Sequence, residues 1–196
     1  LFKAGKYPEA LQALDELVKE GKIRHIGLSN ETPWGVMQFL QTAQTHGLPR
    51  IVSIQNAYSL LNLTWEMGLA ETSYREQVSL LAYSPLAFGF LSGKYLSDPK
   101  AVGRATLFGA FAQRYTKVNV PLAGAAYVEL AQRHGMTPVQ LALSFVASRW
   151  LVGSTIIGAT TLAQLKENIA ACAQPLAEDI LQEIEAVHLR YTNPAP

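Results

Sequence analysis

Four short polar runs end apolar stretches of this chain: Ser29-Asn30 after Ile23 to Leu28, Gln55-Asn56 after Ile51 to Ile54, Tyr83-Ser84-Pro85 after Val78 onward, and Gly158-Ala159-Thr160 after Ser154 to Ile157. Taken singly they read as turn and cap residues, because Ser, Asn, Gly and Pro end strands in most proteins. Taken together they supply amides, hydroxyls and a flat aromatic. Amides can hold the carboxamide of a planar ring while an aromatic covers one of its faces, which is what a nicotinamide needs.

Positioning these runs requires elements at regular intervals, and the pattern provides them. Pro8 with Leu11, Leu14 and Val18 predicts a helix stopped by Gly21, and Ile23 to Leu28 a strand. Thr32-Pro33 opens a helix with Val36, Leu40 and Ala43 on one face and Gly47 at its end; the strand Ile51 to Ile54 follows. A third helix is expected from Trp65 to about Gln77, capped by Thr64, and then the strand Val78 to Tyr83. After a long loop come helices over Leu122 to His134 and Pro138 to Ala147, the latter opened by a Thr137/Gln140 capping box. The strand Ser154 to Ile157 leads to a helix with a second box, Thr161/Gln164, and one apolar stripe of Leu162, Leu165, Ile169 and Cys172. The last helix spans about Leu176 to Arg190 with Ile180, Ile184 and Val187 inward, and Thr192 to Pro196 reads as a frayed tail.

Strands alternating with helices imply parallel pairing through right-handed crossovers and an α/β class. Between an open sheet and a barrel the choice falls on the barrel, since no strand is followed by the G-x-G-x-x-G of an open dinucleotide-binding sheet. Gly89 to Lys94 is not a phosphate loop: its glycines are too close and Tyr95 stands where Ser or Thr is required. In a (β/α)8 TIM barrel, ligands gather at the C-terminal strand ends, where these polar runs lie.

The 196 residues are 49% hydrophobic and 16% charged with a net charge of +1, so a sizeable core is affordable while a nucleic-acid surface is not implied. The single cysteine, Cys172, cannot form an internal disulfide and points to a reducing compartment. No apolar run reaches membrane-spanning length and no signal-peptide order is present, so the chain reads as soluble and cytoplasmic. Leu1 to Tyr7 reads as a polar lead-in that something precedes.

Ser29-Asn30, Gln55, Tyr83-Ser84-Pro85-Leu86-Ala87 with Gly89 and Gly93-Lys94-Tyr95, and Ile-Ile-Gly-Ala-Thr-Thr-x-x-Gln-Leu-x-Glu-Asn from Ile156 to Asn168 together resemble the aldo-keto reductase superfamily. The last form resembles the branch with the potassium-channel β subunits and related bacterial NADP(H)-dependent oxidoreductases. The resemblance implies a TIM barrel of which residues 1–196 are about the C-terminal four strands of one domain. It also implies hydride transfer between NADP(H) and small aldehydes or ketones. Ser29, Asn30 and Gln55 would hold the nicotinamide carboxamide, Tyr83 would stack on the ring, and Ser84, Pro85, Leu86, Ala87, Gly89, Lys94 and Arg104 would fold over the pyrophosphate. Gly158, Ala159, Thr160, Gln164, Glu167 and Asn168 would form the adenosine and 2′-phosphate site. A helix N-terminus at Thr160-Thr161 suits a phosphate, and Glu167 and Asn168, off the apolar stripe, would be free to meet adenine. Where many family members carry Lys and Arg around the 2′-phosphate, this chain has Gly158 and Gln164, so preference for NADP over NAD rests on Lys94, Arg104 and the threonines.

The family's Tyr, Lys, Asp and His for acid catalysis lie on earlier strands, so the resemblance assigns no catalytic residue to this chain. His25, His46, His134 and His188 read as structural or solvated, and Lys94-Tyr95 is not a catalytic pair because adjacent side chains diverge. Four parallel strands leave two bare edges, so the chain alone is expected to aggregate, form a homo-oligomer or stay partly molten, as a fragment would. The alternative function is a non-catalytic NADP(H)-binding module that senses redox state or binds a partner. Phe88, Phe108, Phe111 and Tyr115 read equally as a substrate pocket or as packing over helices.

Overall fold

The computed structural model describes residues 6–98 and 100–195; Leu1 to Ala4 and Gly5 of the expected lead-in, and the final Pro196, lie outside them. Its strands β1 (Ile26–Ser29), β2 (Ile51–Ala57), β3 (Ser79–Tyr83) and β4 (Val152–Thr155) form one four-stranded sheet in that order. The chain divides into two compact units, residues 6–56 with 66–81 and residues 57–65 with 82–195.

In the first unit, α1 (Tyr7–Lys19) buries Leu11 and ends as expected near Gly21. The backbone N–H groups of Lys22 and Ile23 both donate to the Leu17 carbonyl, at 3.0 and 3.3 Å, completing that helix end. For this reason β1 starts at Ile26 (Ile26–Ser29) and not at Ile23. Thr32 caps α2 (Pro33–His46) by accepting from Gly35 N–H at 3.1 Å, and Gly47 ends it in the left-handed conformation. β2 (Ile51–Ala57) pairs parallel with β1 across a bulge beside Ile26. Leu11, Ile26, Val36, Leu40, Ile51, Ile54 and Leu80 form the unit's apolar core. Each such burial is worth about 1.5 to 3 kcal/mol.

The expected helix from Trp65 to Gln77 is interrupted. Thr64 hydrogen-bonds Asn62 Oδ1 at 2.6 Å and caps nothing, and a 3-10 turn covers Thr64–Glu66. Gly68 then takes φ 140°, a conformation closed to other residues, before α3 (Leu69–Glu76) begins. β3 (Ser79–Tyr83) carries the chain past Leu81 into the second unit.

There the loop after β3 is built of a 3-10 stretch over Ala87–Ser92 and short helices α4 (Lys94–Ser97), α5 (Arg104–Leu107) and α6 (Gly109–Ala112). Long helices follow, α7 (Asn119–Arg133) and α8 (Pro138–Ser148), and Thr137 with Gln140 makes the expected capping box at 3.1 and 2.8 Å. β4 is Val152–Thr155, two residues earlier than Ser154 to Ile157, because it starts directly after the buried Leu151; Ile156 N–H still reaches the Ala82 carbonyl at 2.8 Å. α9 (Leu162–Cys172) and α10 (Glu178–Arg190) complete the unit. Tyr58, Leu60, Trp65, Leu91, Leu130, Leu141 and Phe145 are among its buried side chains. The tail is not frayed up to Ala195: Asn193 Oδ1 accepts from Leu63 N–H at 2.6 Å, Ala195 N–H donates to the Leu61 carbonyl at 3.1 Å, and Ala195 is buried. Among the described residues no helix is long and apolar enough to cross a membrane.

Candidate functional site

At the end of the first unit's strands, the parallel register sets Ser29 beside Gln55. Side chains alternate along a strand, and here Ile26 is buried while Gly27, Ser29 and Gln55 are exposed, so the polar pair lies on the face that the unit's helices leave open. Asn30 turns out of β1 with φ 53°, tolerable for Asn, and its N–H donates to the Gln55 carbonyl at 3.0 Å while its Nδ2 donates to Ser29 Oγ at 3.3 Å. Three of the expected site residues are thus locked together by backbone register. One row below them Gly27 faces Ser53 so closely that a Cβ would sit 2.6 Å from Ser53 Oγ. In the next position Asn56 Oδ1 is buried without a hydrogen-bond partner.

In the second unit Tyr83 ends β3, and the chain turns sharply through Ser84, Ala87, Phe88 and Gly89 at φ 54°, 47°, 60° and 96°. Left-handed non-glycine residues cost of order 1 kcal/mol each and persist only where the surroundings hold them. Here the surroundings do: Pro85 and Ala87 are buried, Ala87 N–H donates to the Ser84 carbonyl at 2.8 Å, and Gly89 N–H to that of Leu86 at 2.8 Å. Phe88 stacks on the buried Tyr115 at 6.1 Å between ring centroids. Burial pushes the Tyr115 phenol above its ordinary range, and a hydrogen bond with Ser84 opposes that shift. Phe108 and Phe111 are exposed, so of the four aromatics weighed as pocket or packing only Tyr115 is core.

Two cations flank this turn. Lys94 Nζ lies 4.8 Å from the centroid of the Tyr95 ring, so these adjacent side chains converge and do not diverge as expected, because the lysine arm folds back over the ring; the Arg104 guanidinium lies 4.9 Å from the centroid of Phe88, and both distances are within cation-π range. Among the described residues no carboxylate pairs with either. Unneutralised cations held on aromatic faces beside a tight turn suit a phosphate group.

The expected site after β4 needs correction in its details. Gly158, Ala159 and Thr160 are exposed as anticipated, and Thr161 caps α9 by accepting from Gln164 N–H at 3.2 Å. The second capping box does not close, because Gln164 Oε1 accepts from the N–H and hydroxyl of Thr160, at 2.9 and 3.0 Å, and not from Thr161. The apolar stripe does not face inward: Leu162 and Ile169 are 67% and 57% exposed, whereas Asn168 is 3% exposed. α9 meets α8 through small residues, Ser144 Oγ donating to the Ala171 carbonyl at 2.8 Å, and that contact rotates Asn168 inward. Asn168 Nδ2 donates to the Gly158 carbonyl at 3.2 Å, and Glu167 Oε1 accepts from Thr137 Oγ1 at 2.9 Å. Both side chains are therefore engaged by the protein itself. Cys172 is half-buried at an open cleft with Ile169, Ala147 and Val152.

His188 Nδ1 is buried without a hydrogen-bond partner. His25 and His46 are exposed, and His134 Nε2 lies 2.8 Å from Glu183 Oε1. Arg133 also bonds Glu183, and these two partners, the arginine foremost, hold its carboxyl below the ordinary range. Sequence reasoning overlooked the structural use of Tyr95 and the Ser84–Tyr115 contact, since neither follows a local periodicity.

Protein tas of Escherichia coli is 56% identical over 189 residues, covering 96% of this chain and 54% of that protein. An aldo-keto reductase of Babesia bovis is 37% identical, covering 95% of this chain and 68% of its own length, and the L-glyceraldehyde 3-phosphate reductase of E. coli is 31% identical, covering 83% and 48%. The chain thus spans about half the length of the first of these relatives. The family model described as "Aldo/keto reductase family" matches residues 2–188, and with almost the whole chain aligned to it, this protein belongs to the aldo-keto reductase family.

Proposed function

We propose that this chain forms the NADP(H)-binding, C-terminal half of an aldo-keto reductase barrel that reduces small aldehydes or ketones. The observation that carries the reading is the register that places Ser29, Asn30 and Gln55 together at one strand end, an amide-rich cradle for a carboxamide. In support, Tyr83 ends β3, and Lys94 and Arg104 lie unneutralised beside the turn that follows. When held there, NADPH would supply the hydride for reduction of a carbonyl. The protein's part is to orient the carboxamide through Ser29, Asn30 and Gln55 and to offset phosphate charge through Lys94 and Arg104. Thr160, with Gln164, and the Gly158-Ala159 backbone border the adenosine end, where Asn168 and Glu167 act by holding the loop and the helix. Among the described residues none is assigned as the acid that would protonate the new alcohol; Tyr95 Oη, which accepts from Ala105 N–H at 3.1 Å, serves the loop.

That last observation also favours a second reading in which the chain binds NADP(H) without chemistry, as a redox-responsive module. Titration of the chain with NADPH, followed by nicotinamide fluorescence, tests the shared premise: saturable binding supports it and none overturns it. Reduction of 4-nitrobenzaldehyde by the native gene product, with its intact mass compared with 21.4 kDa, separates the two readings.

A further inference from the structure

We propose that Tyr95 is a positioning residue that sets where both phosphate-binding cations stand; this rests on the NADP(H) reading above. Lys94 and Arg104 are separated by a turn and a loop, yet a continuous row of rings connects them. The Lys94 ammonium lies on Tyr95, Tyr95 packs on Phe90 at 5.2 Å, Phe90 stacks on Tyr115 at 5.4 Å, Tyr115 stacks on Phe88 at 6.1 Å, and Phe88 carries the Arg104 guanidinium. Tyr95 also reaches the far end of the row directly, because its hydroxyl oxygen accepts a hydrogen bond from the N–H of Ala105, the residue next to Arg104, at 3.1 Å. One side chain thus contacts Lys94 through its face and the segment bearing Arg104 through its oxygen.

The fit around this pair is close. A Cβ at Gly103 would lie 2.0 Å from Lys94 Nζ and 2.5 Å from Tyr95 Oη, and one at Gly89 would lie 3.3 Å from Lys94 Cε and from the Tyr95 ring. The lysine arm therefore runs between two glycines and over the tyrosine, a channel that leaves the ammonium few alternatives. Phe at position 95 would keep the ring and its two packing contacts and delete only the acceptor for Ala105 N–H.

The test is NADPH affinity of the full chain, wild type against Tyr95→Phe, Arg104→Met and the double variant, with near-ultraviolet circular dichroism to compare folding. Loss of one hydrogen bond that orders a binding segment is expected to raise Kd about three- to tenfold in Tyr95→Phe. In the Arg104→Met background the same change should add less than about twofold, because the guanidinium that the lost hydrogen bond positions is gone while the ring under Lys94 is kept. Gly103→Ala, which displaces Lys94 Nζ and Tyr95 Oη while altering neither side chain's chemistry, is expected to weaken binding as well. Wild-type affinity in Tyr95→Phe, or losses that simply multiply in the double variant, would overturn the proposal and leave NADP(H) binding standing. Failure of the wild-type chain to bind NADPH would overturn both.

Discussion

Replacing Asn168 tests whether this side chain meets a ligand or holds a loop. It is 3% exposed, and its Nδ2 donates to the Gly158 carbonyl at 3.2 Å across the gap between α9 and the segment after β4. Asn168→Ala removes one hydrogen bond, about 1 kcal/mol net, and part of a buried side chain, for a total of about 1 to 2 kcal/mol. For a chain of this size each kcal/mol lowers Tm by about 2 to 4 °C, so a fall of about 2 to 8 °C is expected. Asn168→Asp keeps the shape and reverses the polarity, setting an acceptor against the Gly158 carbonyl. It should cost more than the alanine, because a carboxylate is then buried without a donor. Thermal melts of the three proteins by far-ultraviolet circular dichroism give the ranking, and amide exchange at 158–160 should quicken in both variants. Asn168→Asp melting with the wild type, or Asn168→Ala within about 1 °C of it, would refute the reasoning; a side chain awaiting adenine would show that pattern, with ligand affinity alone affected.

Other outcomes follow from the same geometry. Gly27→Ala sets a Cβ 2.6 Å from Ser53 Oγ and should destabilise the chain by about 1 to 2 kcal/mol in urea unfolding, partly recovered by Ser53→Ala. Thr137→Ala opens the α8 capping box and frees Glu167, a loss of about 1 kcal/mol or somewhat more by the same assay, whereas Thr137→Ser should retain most of the stability. Glu183 has its carboxyl held below the ordinary range by Arg133 and His134, so its contribution is present above the ordinary carboxylate pKa and disappears as pH falls through the lowered folded value. The Tm difference between wild type and Glu183→Gln should accordingly be largest near neutral pH and shrink on acidification below that range.

Local signals in the sequence determined a good part of this protein. Thr32-Pro33 with Gly47, and Thr137 with Gln140, bound α2 and α8 within a residue, because caps are made by neighbours three or four positions apart and need nothing from the rest of the fold. Alternation of strands and helices sufficed for the α/β class and the parallel pairing, and the polar runs at strand ends singled out Ser29 and Gln55, which the register sets side by side. Tertiary structure decided the rest. Leu162, Leu165 and Ile169 have helical spacing, but spacing states only that they share a face; packing of Ala171 and Asn168 against α8 chose which face is buried. The same holds for Gln164, which had Thr160 and Thr161 equally within reach, and for Tyr95, whose hydroxyl met Ala105 only once the loop had closed. Periodicity records which side chains travel together along one element, whereas the direction they face is set by the element that arrives opposite, and that element lies elsewhere in the chain.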